Sequence, residues 1–140
     1  MVGRRSRGLG EAEPPVAHPY LDRLLDIRRP VQLPAQVIHG DLSENVLFAD
    51  PLQPAVIDVT PYWRPAGFAA AVVVGDAICW RDADPDPLVV ATSTVAEFPQ
   101  LLVRAVIYRV VTDLVFGQSD LDAYAKDVRL AEGLSTTDAA

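Results

Sequence analysis

The chain has 140 residues, half of them hydrophobic, and a formal charge of −7. That length fits one domain, and that apolar content affords a core and excludes global disorder. The acidic balance disfavours a nucleic-acid-coating role, which needs clustered Lys and Arg.

Residues 1–17 hold Gly, a Pro pair and the basic trio Arg4, Arg5 and Arg7 without periodicity, and read as a flexible tail. They contain no apolar h-region, so they are not a secretory signal. From His18 to Arg29, Tyr20, Leu21, Leu24, Leu25 and Ile27 recur at helical spacing. Pro30 and Pro34 end that helix, and Gln36 to Ile38 is a short extended lead into His39-Gly40-Asp41. Asn45–Ala49 and Ala55–Val59 are apolar runs around the turn DPLQP, which predicts a β-hairpin. The TPYWRP segment reads as irregular. Its Tyr62, Trp63 and Arg64 either shape a substrate pocket or pack under a Pro-rich loop.

Ala66 to Trp80 is apolar nearly all round, the mark of a buried helix. RDADPDP is an acidic loop, and Leu88 to Ala96 fits strand or helix equally well. Pro99 opens a helix over Phe98–Phe116 whose apolar face is core, and Gly117 closes it. Ser119 and Asp122 form a capping box for a last helix reaching about Leu130, and residues 132–140 read as a frayed end. The domain proper is thus residues 18–131. No apolar run approaches the roughly 20 residues that span a bilayer. Cys79 is the only cysteine, so no intrachain disulfide forms and a reducing cytoplasm suits the chain. Its apolar neighbours fit a small buried hydrophobe better than a nucleophile.

The informative stretch is VIHGDLSENVLF, followed by AVID. A symmetric hairpin sets Asn45 opposite Asp58, Val46 opposite Ile57 and Phe48 opposite Ala55. Opposed residues have Cβ atoms about 4.5–5.5 Å apart. An amide oxygen and a carboxylate at that separation can share one Mg2+, whose ligands lie at about 2.0–2.1 Å. Asp41 stands at the same end of the hairpin, so two acids and an amide are expected to converge. Phosphoryl transfer uses such a set: one aspartate accepts the substrate proton while an asparagine and a second aspartate hold Mg2+. Taken singly, Asp41 also fits a turn-stabilising residue, Asp58 a solvated strand end, and Asp76 a helix cap or a solvent-facing acid.

HGDLSENVLF with AVID resembles the aminoglycoside-phosphotransferase-like kinases, which carry HGD and ID where protein kinases carry HRD and DFG. The resemblance covers Val37 to Trp80 by motif and implies an α+β fold, the mainly helical C-terminal lobe of a protein-kinase-like architecture with one catalytic β-hairpin. It implies Asp41 as catalytic base, Asn45 and Asp58 as Mg2+ ligands, His39 as structural packing of the loop, and Asp76 as a brace of the catalytic loop through backbone amides. ATP and Mg2+ are the implied cofactors, and a small-molecule hydroxyl the implied acceptor. The YWRPAGFAAAVVVGDA stretch departs from drug-modifying enzymes and suggests a separate bacterial branch.

Asn45 follows Asp41 by four residues where the family pattern has five, which shortens the loop's reach by up to about 3.5 Å. Of 12 basic residues only Lys126 is lysine, and it lies downstream of HGD, where no ATP-anchoring lysine belongs. No Gly-rich loop follows a strand. The expectation is therefore a lobe without its ATP-covering partner, incomplete or inactive alone, with self-association through the face so left open. The competing expectation is a non-catalytic remnant or interaction module of the same fold. A metal-dependent phosphoesterase fits poorly, because no histidine follows His39 to complete a two-metal site.

Overall fold

The computed structural model describes residues 17–118 and 120–137. The expected N-terminal tail with Arg4, Arg5 and Arg7, and Ser119 of the expected capping box, lie outside them. The described residues form an α+β fold of five α-helices and two small antiparallel ribbons.

The first helix, α1, spans Pro19–Ile27, with Pro at its start and the His18 Nδ1 accepting from the Tyr20 N–H at 3.1 Å. A ring nitrogen thus caps a helix whose first N–H groups have no partner inside it. Strand β1 (Ala35–His39) follows, then the HGD loop and the hairpin strands β2 (Val46–Leu47) and β3 (Ala55–Val56). The segment expected to be irregular is instead a strand, β4 (Pro61–Pro65), paired antiparallel with β1 so that His39 meets Pro61 and Ala35 meets Pro65. Proline is tolerated in edge strands, and in a two-stranded ribbon both strands are edges.

Pro65 leads directly into α2 (Ala66–Arg81), which buries Phe68, Ala71, Val72, Val74, Gly75, Asp76 and Ile78. Asp84 caps the short α3 (Pro85–Ala91), which begins inside the expected acidic loop and resolves the ambiguous stretch as helix and then turn. Helix α4 (Phe98–Val115) carries most of the core, and Gly117, at φ 80°, ends the chain's run there. That left-handed turn costs glycine nothing. The last helix, α5 (Ala125–Thr137), enters through a 3-10 turn at Asp122–Tyr124. The end expected to fray from residue 132 is helical as far as Thr137. Ser135 is buried there, and Glu132 receives both Nε and Nη2 of Arg23 at 2.7 Å.

Helix α4 packs against α1, α2 and α5, and the β1–β4 ribbon lies on α2. Fully buried Leu24, Leu101, Leu102, Val103, Val110 and Val128 fill the centre. The β2–β3 hairpin stands apart, with few contacts to other elements. Among the described residues no helix is long and apolar enough to cross a membrane.

Candidate functional site

The site begins where β1 ends. The His39 ring bridges the loop and the hairpin: its Nδ1 accepts from the Asp41 N–H at 3.0 Å, and its Nε2 lies 3.0 Å from the Ile57 carbonyl. The first bond requires a bare Nδ1 and the second a protonated Nε2, so His39 is the neutral Nε2–H tautomer. With both nitrogens engaged it ties chain segments together and has no lone pair left for a metal. Gly40 follows because nothing larger fits: a Cβ there would lie 1.8 Å from the Tyr62 ring. The Gly40 N–H donates to the Thr60 carbonyl at 2.8 Å, which extends the ribbon by one bond.

Asp76 rises from the middle of α2 beneath this loop and is 3 % exposed. The expected partners were backbone amides. Its partners are instead two side chains, the Ser43 hydroxyl at 2.5 Å and the Arg109 guanidinium, which donates from Nε at 2.8 Å and from Nη2 at 2.7 Å. A two-pronged arginine fixes a carboxylate's orientation as well as its charge. The same Nη2 donates to Asp41 Oδ1 at 2.8 Å, so one guanidinium joins the two aspartates. Trp80 and Tyr108 cover it with their rings, 4.8 and 5.1 Å from its centre. Burial works against the Arg109 cation, but hydrogen bonds to Asp76 and Asp41 outweigh it and raise the pKa above the usual arginine range.

Asp41 keeps its other oxygen free of hydrogen-bond partners among the described residues, and its side chain is 41 % exposed. Asn45 folds back on the same residue. Its Nδ2 donates to the Asp41 carbonyl at 2.8 Å, while its backbone N–H closes a turn on Leu42 at 3.0 Å. Glu44, at φ 67°, makes that turn possible. A glutamate rarely adopts this conformation, and such strain is held only where surrounding bonds enforce it. Its carboxylate forms an exposed ion pair with Arg81 at 2.8 Å.

The hairpin register corrects the expected one by a single residue. Val46 pairs with Val56 and Leu47 with Ala55, and the Ile57 N–H donates to the Asn45 carbonyl at 3.0 Å. Asn45 therefore faces Ile57, and Asp58 lies one residue beyond. The symmetric turn assumed from the sequence fails because the connection between the strands holds seven residues, Phe48 to Pro54, not the six assumed. A one-residue slip reverses which face a side chain occupies. Asp58, at φ 47°, leaves the ladder at this point, so strict alternation no longer applies to it.

Among the described residues no group of three His, Cys, Asp or Glu side chains is placed to hold a metal ion. The donors present are the Asn45 Oδ1, which the Nδ2 bond to Asp41 leaves open, and the exposed Asp58 carboxylate. One amide and one carboxylate are too few for a resident ion. Mg2+ in general keeps several waters and is bound through one or two carboxylates together with substrate phosphates.

Sequence reasoning missed Arg109, treating its helix face as core. The signal was there: Arg109 in the mainly apolar α4 and Asp76, the one acid of the apolar α2, must each find a partner. Cys79 is half-buried on α2, and burial followed by the charges of Asp127, Asp76 and Asp113 pushes its thiol up to about 12. It is no nucleophile at neutral pH. Comparison with protein-family models, with curated proteins and with solved structures finds no match to the chain.

Proposed function

We propose that this chain is a kinase-like phosphotransferase lobe that acts on a small-molecule hydroxyl. The observation that carries the reading is the clamp on the HGDLSEN loop. Buried Asp76 holds Ser43 and Arg109, Arg109 holds one oxygen of Asp41, and the Asn45 amide holds the Asp41 carbonyl. Such bracing of one half-free carboxylate is what a positioned general base requires.

In this reading the acceptor's O–H proton passes to the free oxygen of Asp41. The acceptor oxygen bonds to the γ-phosphorus of ATP, the bond to the β–γ bridging oxygen breaks, and ADP leaves. Asn45 and Asp58 would hold the Mg2+ that comes with ATP, and that ion would supply charge neutralisation on the transferring group. His39 keeps the loop and the hairpin in register, so it positions rather than reacts.

One observation favours the second reading, a non-catalytic relative of the same fold. Lys126, the sole lysine of the sequence, is on α5 and is engaged in an ion pair with Asp82. Equilibrium titration with Mg·ATP decides between them. Wild type is expected to bind, with Asn45→Ala and Asp58→Ala each at least about tenfold weaker and Asp41→Asn unchanged. A folded chain that ignores Mg·ATP would leave only the second reading.

A further inference from the structure

The end of α1, strand β4 and the middle of α4 enclose a cleft of about 620 Å3, within the usual size of small-molecule sites. Its base is apolar, with Phe68, Leu101 and Ile107 in the lining, but Arg28, Arg64 and Arg104 line it as well. None of these three arginines has a carboxylate within salt-bridge distance among the described residues.

Arg104 is fixed by neutral acceptors. Its Nη1 donates to the Gln100 carbonyl at 2.9 Å and its Nη2 to the Arg29 carbonyl at 2.5 Å. Those bonds hold the plane of the guanidinium and leave its charge uncompensated. Burial and then the neighbouring Arg28 lower its pKa, and Glu97 only partly opposes this. The Glu97 carboxylate accepts instead from the Gln32 N–H at 3.0 Å. Gln100 also pins the end of α1, donating to the Ile27 carbonyl and accepting from the Arg29 N–H, which fixes the backbone that carries Arg28. Arg28 is exposed, so the part-buried Arg104 is the cation of the cleft that gains most from an entering anion.

Tyr62 and Tyr108 complete the wall, with their hydroxyls 3.2 Å apart. The Tyr62 ring lies over Gly40, and Tyr108 precedes the arginine that holds Asp41. The cleft thus backs onto the loop that carries the half-free carboxylate.

We propose that this cleft binds the phosphoacceptor, and that the acceptor is a hydroxylated small molecule with an apolar body and a carboxylate or phosphate group held by Arg28 and Arg104. Calling the ligand the acceptor rests on the phosphotransferase reading; its binding as an amphipathic anion does not. Three arginines turn away a polycationic acceptor, so the specificity is opposite to that of a site for polyamines.

The test is calorimetric titration of the full chain with three probes of one shape: naphthoate, naphthyl phosphate and neutral naphthamide. At least one anion is expected to bind about tenfold or more tighter than the amide, as charge-assisted bonds to arginine allow. Exposed Arg28→Gln, and Arg104→Gln where it folds, should remove most of that preference, while Arg129→Gln on α5 keeps it. Equal binding of all three probes, or a preference that survives Arg28→Gln, would overturn the proposal. Titrating Mg·ATP in the same series separates the two readings. Anion preference without nucleotide binding removes the acceptor role and keeps the anion site. Nucleotide binding without anion preference removes the cleft proposal alone.

Discussion

Arg109 and Asp76 depend on each other, since both charges are largely buried, with side chains 12 % and 3 % exposed. Removing one partner of a buried pair leaves an unpaired charge, at a cost of about 3–5 kcal/mol. Urea unfolding of Arg109→Met is expected to show a loss of that order, and Asp76→Ala a similar one. A loss below about 1 kcal/mol in both would mean that the clamp is a surface-like contact. Asp127 has the opposite problem. It is 1 % exposed, neither oxygen has a partner, and burial followed by the charge of Asp76 pushes its carboxyl up to about 7. The folded state therefore keeps a proton that the unfolded chain releases near its ordinary value of 3.8. Stability is full below about pH 4 and falls as pH rises toward 7, by up to about 1.4 kcal/mol per unit. Asp127→Asn should flatten that slope in denaturant titrations from pH 5 to 7, with a net gain at pH 8. An unchanged slope would show that Asp127 is not its source. Of these residues, Asp76 was legible as a buried acid needing a partner. Arg109 was not, because helical periodicity weighs the apolar majority of a face and passes over its one charged member.

At the scale of elements, helices were the most legible because 3.6-residue periodicity and proline punctuation survive in the sequence. α1, α2 and α4 lie within two residues of where those signals place them. Strand β4 was illegible, since two prolines argue against a strand until the partner is known to be an edge. The hairpin was legible as a hairpin but not in register, because register depends on turn geometry that DPLQP does not specify. The HGD loop depends on Gly40 for the same local reason that makes β4 necessary: the Tyr62 ring occupies the space a Cβ would need. Gly40→Ala should cost about 1–3 kcal/mol, as overpacking does. Gly40→Ala with Tyr62→Ala should recover part of it, and full additivity of the two losses in thermal melts would contradict the packing account. His39→Ala removes the ring that spans loop and hairpin, so amide exchange at Ile57 and Asp41 should quicken before exchange in α4 does. Uniform quickening across the chain would place His39 in the global core instead.

Across the whole molecule, two regions differ in character. The helical core around α4 is closed, while the β2–β3 hairpin and its flanks expose Leu47, Phe48, Leu52, Val56 and Val59, each at least half exposed. The hairpin also carries Asn45 at its entrance and Asp58 at its exit, so the open face and the candidate metal donors share one element. The α+β class and the position of the loop were readable from the sequence. The cleft behind that loop was not, because Arg28, Arg64 and Arg104 come from three elements brought together only by folding.

Whether Asn45 and Asp58 bind Mg·nucleotide beside the half-free Asp41 is read most directly by thermal unfolding. A ligand that binds only the folded state at a hundred times its Kd adds about 2.7 kcal/mol, or roughly 5–10 °C for a chain of this size. A cooperative transition is expected to rise by that amount with Mg·ATP, and by about half of it or less in Asp58→Ala. A cooperative transition of the same Tm with and without Mg·ATP would contradict that binding.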